Sequence, residues 1–141
     1  MVFNHVGLNC KDPIAIEKFY TQYFGFTRAR VIPLGDDNQL VFLRGAGDFY
    51  LELFKSGDAR PIAAPEKDGY SFTGPRHIAF KVDDVNAVIA AMGDAAVVTL
   101  GPLDFGAFIP GWMTVWVSDP EGNIVEISQG YTDQENPPPL A

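Results

Sequence analysis

The chain has a single cysteine, Cys10. That excludes an internal disulfide framework, a thiolate-rich zinc site and a CxxC redox pair. Cys10 also has no histidine to pair with outside the set described below, so it reads as a strand-end residue and not as a nucleophile. Basic residues are scarce: 10 Lys and Arg stand against 18 Asp and Glu in 141 residues, a formal charge of −8. Such a surface lacks the positive patches that nucleic acids and anionic membranes require. No apolar run approaches the roughly 20 residues that span a bilayer. The opening MVFNHVGLNCKD has neither the basic n-region nor the apolar h-region of a secretory signal. What remains is 47% hydrophobic and 20% charged, enough for a real core. These features predict an acidic, cytoplasmic, globular protein whose partner is a small molecule.

Periodicity divides the chain in two. Phe3 to Asn9 alternates as a strand, and Asp12-Pro13 supplies an N-cap followed by proline at the first helical position. Ile16, Phe19, Tyr20, Tyr23 and Phe24 form the apolar stripe of a helix, which Gly25 stops. Strands are expected near 26–32, 39–44 and 49–54, the last two joined by a short Gly45-Ala46-Gly47 hairpin loop. The order then recurs. A strand at 76–82 precedes a helix capped by Asp83 or Asp84, with Val85, Val88, Ile89 and Met92 on one stripe and Gly93 near its end. Strands at 95–100, 113–118 and 123–128 follow, the last two joined by Asp119-Pro120-Glu121-Gly122, whose residues are those of a type I turn. The organisation predicted is an α+β fold of two β-α-β-β-β modules (1–55 and 76–131), a Pro/Gly-rich linker at 56–75, and a flexible tail over 132–141.

Offsets expose a repeat. His5 and His77, the only histidines, are offset by 72 in matching opening strands, and Glu52 and Glu126 by 74 in matching closing strands. Alternation puts His5, Gly7 and Asn9 on one strand face, Tyr50, Glu52 and Phe54 on another, and His77, Ala79 and Lys81 on a third, each opposite an apolar face. If the two sheets curl together, His5, Glu52, His77 and Glu126 converge on one concavity. Two imidazoles and two carboxylates, with no thiolate, suit one divalent ion per site: Zn²⁺, Ni²⁺, Mn²⁺, Co²⁺ or Fe²⁺.

Paired modules carrying these four residues, with the segment Asp119-Pro120-Glu121-Gly122-Asn123-Ile124-Val125-Glu126, resemble the vicinal oxygen chelate superfamily. That group includes glyoxalase I, methylmalonyl-CoA epimerase, extradiol dioxygenases, and fosfomycin and bleomycin resistance proteins. The resemblance extends to about Tyr131 and implies a cup-shaped, barrel-like mixed sheet with flanking helices around a metal that chelates vicinal oxygens of a substrate. Metal-binding glyoxalase I enzymes are the most similar at the metal, because they also place a carboxylate at the position of Glu52. An arginine for the glutathione carboxylate would stand where this chain has Asn9, which argues against glutathione. Epimerases usually carry Gln in place of Glu52. An extradiol dioxygenase would use His5, His77 and Glu126 as its iron triad but needs a further histidine and a chain about twice as long. Antibiotic-sequestering members often lack the ligands.

The function expected is therefore a divalent-metal-dependent lyase or isomerase of glyoxalase type, moving a proton beside a chelated carbonyl. The alternatives are an Fe²⁺ dioxygenase and a non-catalytic binding or resistance protein. Either carboxylate could take or return the proton. The expectation is Glu126 as principal base with Glu52 as ligand and second acid/base, the alternative being that both only ligate. Asn9 and Lys81, each four residues after its histidine, face substrate or lie at a wet rim. Phe105 and Trp112 bound an unusually apolar loop, 105–112, read either as a pocket wall or lid or as a subunit contact. A homodimer is expected, with each site taking His5 and Glu52 from one chain and His77 and Glu126 from the other in preference to all four from one chain, since a linker of about 20 residues allows either arrangement.

Overall fold

The structure, a computed structural model, describes residues 1–140. Contacts divide it into two units, Met1–Ala64 with Asp119–Asn123, and Pro65–Ser118 with Ile124–Ala141. The expected linker is thus shared out, its residues up to Ala64 packing with the first unit and the rest with the second. No helix among the described residues is long and apolar enough to cross a membrane. Residues 132–140 form no regular element, and Ala141 lies outside the described residues.

In the first unit the elements are β1 (His5–Cys10), α1 (Pro13–Tyr23), β2 (Thr27–Gly35), β3 (Asn38–Arg44) and β4 (Tyr50–Lys55), and the sheet order is β1-β4-β3-β2. β1 runs parallel to β4 and the other pairs are antiparallel. The Asp12 carboxylate accepts from Ile14 N and Ala15 N, both at 3.1 Å, which satisfies two of the orphan amides that start α1. Ile16, Phe19 and Tyr20 are buried against the sheet, while Tyr23 and Phe24 are half-buried. On β4, Leu51 and Leu53 are fully buried and Tyr50 and Glu52 are only partly so, because successive residues face opposite sides. Each leucine contributes roughly 2 kcal/mol by leaving water.

The second unit repeats the plan with β5 (Ile78–Lys81), α2 (Val85–Met92), β6 (Val97–Asp104), β7 (Met113–Ser118) and β8 (Ile124–Gln129), in the order β5-β8-β7-β6. Asp84, not Asp83, caps α2 by accepting from Ala87 N at 3.0 Å. Both sheets are mixed, and the fold class is α+β as expected.

The differences from expectation lie mainly at element ends. β2 and β6 run beyond the expected ends at 32 and 100, through Pro33 and Pro102; both are edge strands, where a missing N–H leaves no partner unsatisfied. β2 turns into β3 through Asp36 and Asp37, both at positive φ (49° and 56°), matching the twist of a tight hairpin. The expected Gly45-Ala46-Gly47 loop is instead a short 3₁₀ turn over Ala46–Asp48, closed by Gly45 N donating to Phe49 O at 2.7 Å. Gly45 is required there, since a Cβ would lie 2.8 Å from the Phe26 ring. His77 precedes β5 because the ladder with β8 starts at Ile78, shortly after Pro75, which has no N–H to give.

Candidate metal centre

Each unit delivers one His–Glu pair on the sheet face opposite its buried leucines or isoleucines. In the first, His5 on β1 places Nε2 3.3 Å from Glu52 Oε2 on β4, and its Nδ1 donates to Asn4 Oδ1 at 2.7 Å. In the second, His77 Nε2 lies 2.6 Å from Glu126 Oε2, and its Nδ1 lies 2.6 Å from the Asp68 carbonyl. Among the described residues no group of three or more His, Cys, Asp or Glu gathers in a metal-holding geometry; what gathers is a pair in each unit.

The second pair carries the most chemical information. A carbonyl oxygen only accepts, so His77 Nδ1 must bear a proton. Nε2 then faces the Glu126 oxygen at a distance where two lone pairs cannot meet. The contact needs a shared proton between them, carried by the ring or by the carboxyl. Holding Nδ1–H on a backbone carbonyl is also how a metal-ligating histidine is aimed through Nε2. The donor set therefore fits a divalent ion.

The surroundings repeat in both units. The rings of Phe42 and Trp116 stand edge-on to His5 and His77, with centroids 6.0 and 6.2 Å away, and they pair across strands with Glu52 and Glu126. Small residues flank the carboxylates on the parallel neighbour, Gly7 opposite Glu52 and Ala79 opposite Glu126. A Cβ on Gly7 would sit 3.6 Å from Glu52 Oε2, in ordinary contact, so nothing larger than a methyl fits without moving the carboxylate. The units differ in two respects. The buried Thr114 hydroxyl donates to Glu126 Oε1 at 2.9 Å, with Ile127 O at 3.1 Å as its other acceptor. The buried Trp116 indole N–H has no acceptor among the described residues, leaving a donor for an oxygen of a ligand or a water.

The other residues marked from sequence separate into three places. Lys81 and Trp112 line one pocket of about 290 Å³ together with Glu126, Ala79 and Tyr131. Phe105 does not line it but backs Trp112, with ring centroids 4.7 Å apart, and the Trp112 indole donates to Ser128 Oγ at 3.2 Å. Asn9 lies instead on a cleft of about 660 Å³ in the first unit, with Lys11, Asp58 and Arg60. Sequence reasoning missed Phe42, Trp116, Thr114, Asn4 and the Asp68 carbonyl. A signal existed for the first two: Phe42 and Trp116 are separated by the same interval as Glu52 and Glu126.

The Asp119–Gly122 turn forms as expected, with Gly122 N donating to Asp119 O at 2.9 Å. Its acid has a structural task. Asp119 is 3% exposed and accepts from Tyr20 Oη, Glu121 N, Asn123 N and Asn123 Nδ2 at 2.8–3.2 Å. Burial nonetheless holds its carboxyl above the usual range, outweighing hydrogen bonds that pull the other way. Burial, with Glu121, Asp119 and Asp12 nearby, pushes the Cys10 thiol up to about 12, which is the setting of an inert residue.

These features match a known protein group. Residues 2–127 match the model of the Glyoxalase/Bleomycin resistance protein/Dioxygenase superfamily. The chain belongs to that superfamily. Among solved structures it is similar to the glyoxalase family protein from Enterococcus faecalis, at 27% identity and a TM-score of 0.66, covering 90% of this chain and 96% of that one. It is similar to the lactoylglutathione lyase from Agrobacterium tumefaciens at 26% identity and a TM-score of 0.59, over 92% of this chain and 93% of that one. It shares the fold of TnmS3, an antibiotic binding protein from Streptomyces sp. CB03234, at 20% identity and a TM-score of 0.66, over 93% and 97% of the two chains. No curated relative matches the chain.

Proposed function

We propose that this superfamily member is a divalent-metal-dependent lyase or isomerase of glyoxalase type, acting on a small oxygenated substrate. The observation that supports this most is the His77–Glu126 contact, whose ring is fixed with Nδ1–H on the Asp68 carbonyl and whose Nε2 faces a carboxylate at 2.6 Å. His5, Glu52, His77 and Glu126 would hold the ion, which when bound supplies Lewis acidity to a carbonyl chelated beside it. The chain's own part is to move the proton. Glu126 would act as principal base on a carbon next to that carbonyl, with Glu52 as ligand and second acid/base, and Lys81 and Trp112 line the pocket beside Glu126. The proposed assembly is a homodimer, each centre combining His5 and Glu52 of one chain with His77 and Glu126 of a second.

Metal content after reconstitution with Zn²⁺ or Ni²⁺ tests the reading. One ion per chain is expected for the wild type, with strong loss in Glu126→Gln and His77→Ala; a wild type that retains none sinks it. Mixing a His5→Ala/Glu52→Ala chain with a His77→Ala/Glu126→Ala chain tests the shared arrangement, because only a mixed dimer then contains one complete centre. After subunit exchange, recovery of about a quarter of the wild-type metal (half the dimers are mixed, each with one complete centre of two) supports sharing, and no recovery refutes it. Catalysis is separated from mere sequestration by whether a turned-over α-hydroxy or α-oxo compound leaves chemically changed.

A further inference from the structure

Five arginines occur in this acidic chain, and four of them are engaged. Arg28 pairs with Glu17, Arg44 with Asp48 and Arg76 with Asp68, while Arg60 donates to Glu121 O and Asn123 Oδ1. Arg30 alone has no partner among the described residues. It lines an open groove of about 370 Å³ with Asn4, Ala29, Phe42 and Tyr50. That groove adjoins the first His–Glu pair: Asn4 holds the His5 ring, Phe42 stands edge-on to it, and Tyr50 is its strand partner.

Strand register explains how Arg30 comes to face this groove. In β2, Arg28 pairs with Leu43 and Arg30 with Phe42, so two steps along β2 match one along β3, and Ala29 is the extra residue of a bulge. Arg28 shares the side of buried Leu43, and its guanidinium reaches Glu17 on α1. Without the bulge Arg30 would fall on that same side, since alternate residues share a face. The bulge transfers it to the other side, completing one cross-strand row of Arg30, Phe42, Glu52 and Gly7. The second unit has the same device: Thr99 is the extra residue in β6, and the row reads Leu100, Trp116, Glu126 and Ala79. The frame is repeated, and only the first unit carries a cation at the end of its row.

We infer that Arg30 is a specificity-determining residue that binds a carboxylate of the substrate, an inference that rests on the metal reading above. Two strand spacings separate Arg30 from Glu52, roughly 10 Å between backbones. The gap suits a ligand whose chelating oxygens lie at the His5–Glu52 end and whose carboxylate lies about three to five heavy atoms away, within reach of a long side chain. The guanidinium fork matches a carboxylate in two parallel hydrogen bonds. A single unpaired cation balances one negative charge; a phosphate monoester would bring nearly two towards Glu52 in a chain already at −8. The substrate class is therefore a small carboxylic acid with vicinal oxygens at its other end.

The test uses two chelators that differ only in this group, propionohydroxamate and succinomonohydroxamate, titrated calorimetrically into the Zn²⁺-reconstituted protein. The wild type should bind the acid about five- to tenfold more tightly, the effect of a partly exposed charge-assisted pair. Arg30→Ala should erase that preference, and Arg30→Lys should keep about half of it on a logarithmic scale by retaining charge without the fork. Arg28→Ala, which removes a neighbouring positive charge from the opposite sheet face, should keep it. No preference in the wild type, or one that survives in Arg30→Ala, overturns the inference while leaving the metal reading intact. If neither hydroxamate binds the wild type, the metal reading falls and the inference falls with it.

Discussion

Thr114→Val should weaken the second His–Glu pair without disturbing the sheet. Valine keeps the shape of threonine, so the fully buried position stays filled; only the hydroxyl goes. Glu126 Oε1 loses its donor at 2.9 Å, and among the described residues no second donor takes over that oxygen. A hydrogen bond to a charged group contributes about 1.5–3 kcal/mol, and the added methyl returns about 0.8 kcal/mol. The net destabilisation of metal-free protein is thus about 1–2 kcal/mol, or roughly 3–6 °C in a thermal melt of a chain this size. Loss of a group that orients a metal-binding carboxylate costs a further ~10-fold in metal affinity. Differential scanning calorimetry with and without Zn²⁺ measures both effects. Thr114→Ser, which restores the hydroxyl, should recover most of the affinity although it leaves a small cavity. A valine variant with wild-type melting and affinity refutes the orienting role, and so does a serine variant no better than valine.

Asp119 makes stability depend on pH with a defined sign. Its folded value is raised by burial, so the folded state takes up a proton more readily than the unfolded chain. Its contribution is therefore complete below the unfolded value of about 3.9 and is lost as pH rises through the folded one. Melting of Asp119→Asn relative to wild type should accordingly improve from pH 4 to pH 7, whatever the constant offset from the misplaced amide; a flat difference refutes this. Cys10, fully buried and with its thiol held near 12, should resist iodoacetamide at pH 8.5 in folded protein and react fully in denaturant. Rapid labelling under native conditions would show that the end of β1 opens.

The elements were legible from local rules because local chemistry makes them: Asp12 and Asp84 cap helices, Gly25 and Gly93 end them at positive φ, and Leu51 and Leu53 alternate with Glu52. The repeat made one His and one Glu per unit legible as candidates; that the two lie side by side within a unit follows from the parallel pairing of β1 with β4 and of β5 with β8, which local patterns do not reveal. Asp119 was not legible as a structural acid. Its turn could be read from four consecutive residues, but its burial depends on Tyr20, 99 residues away. The second-unit hydroxyl was hidden for a different reason: Leu40 is the first-unit counterpart of Thr114 at the Glu52-to-Glu126 interval, so the repeat offers no matching polar group to draw attention to it.

Arg30 shows why a duplicated frame hides its own differences. The two histidines are offset by 72, and the β3/β7 and β4/β8 positions around them by 74. Across β2 and β6 Arg30 and Leu100 hold matching register positions at an offset of 70, because the path from β6 to β7 is longer than that from β2 to β3. Aligning the halves at 72 or 74 would match Arg30 with Pro102 or Asp104 and erase the correspondence. Periodicity cannot reveal it either, since a bulge reverses which face the alternation assigns. What duplication preserves here is backbone: a bulged edge strand, an aromatic, a carboxylate and a small residue in one row. Selectivity then needs no new architecture. Exchanging one end residue of a row, arginine in one unit and leucine in the other, is enough to give two otherwise matching rows ends of different chemistry.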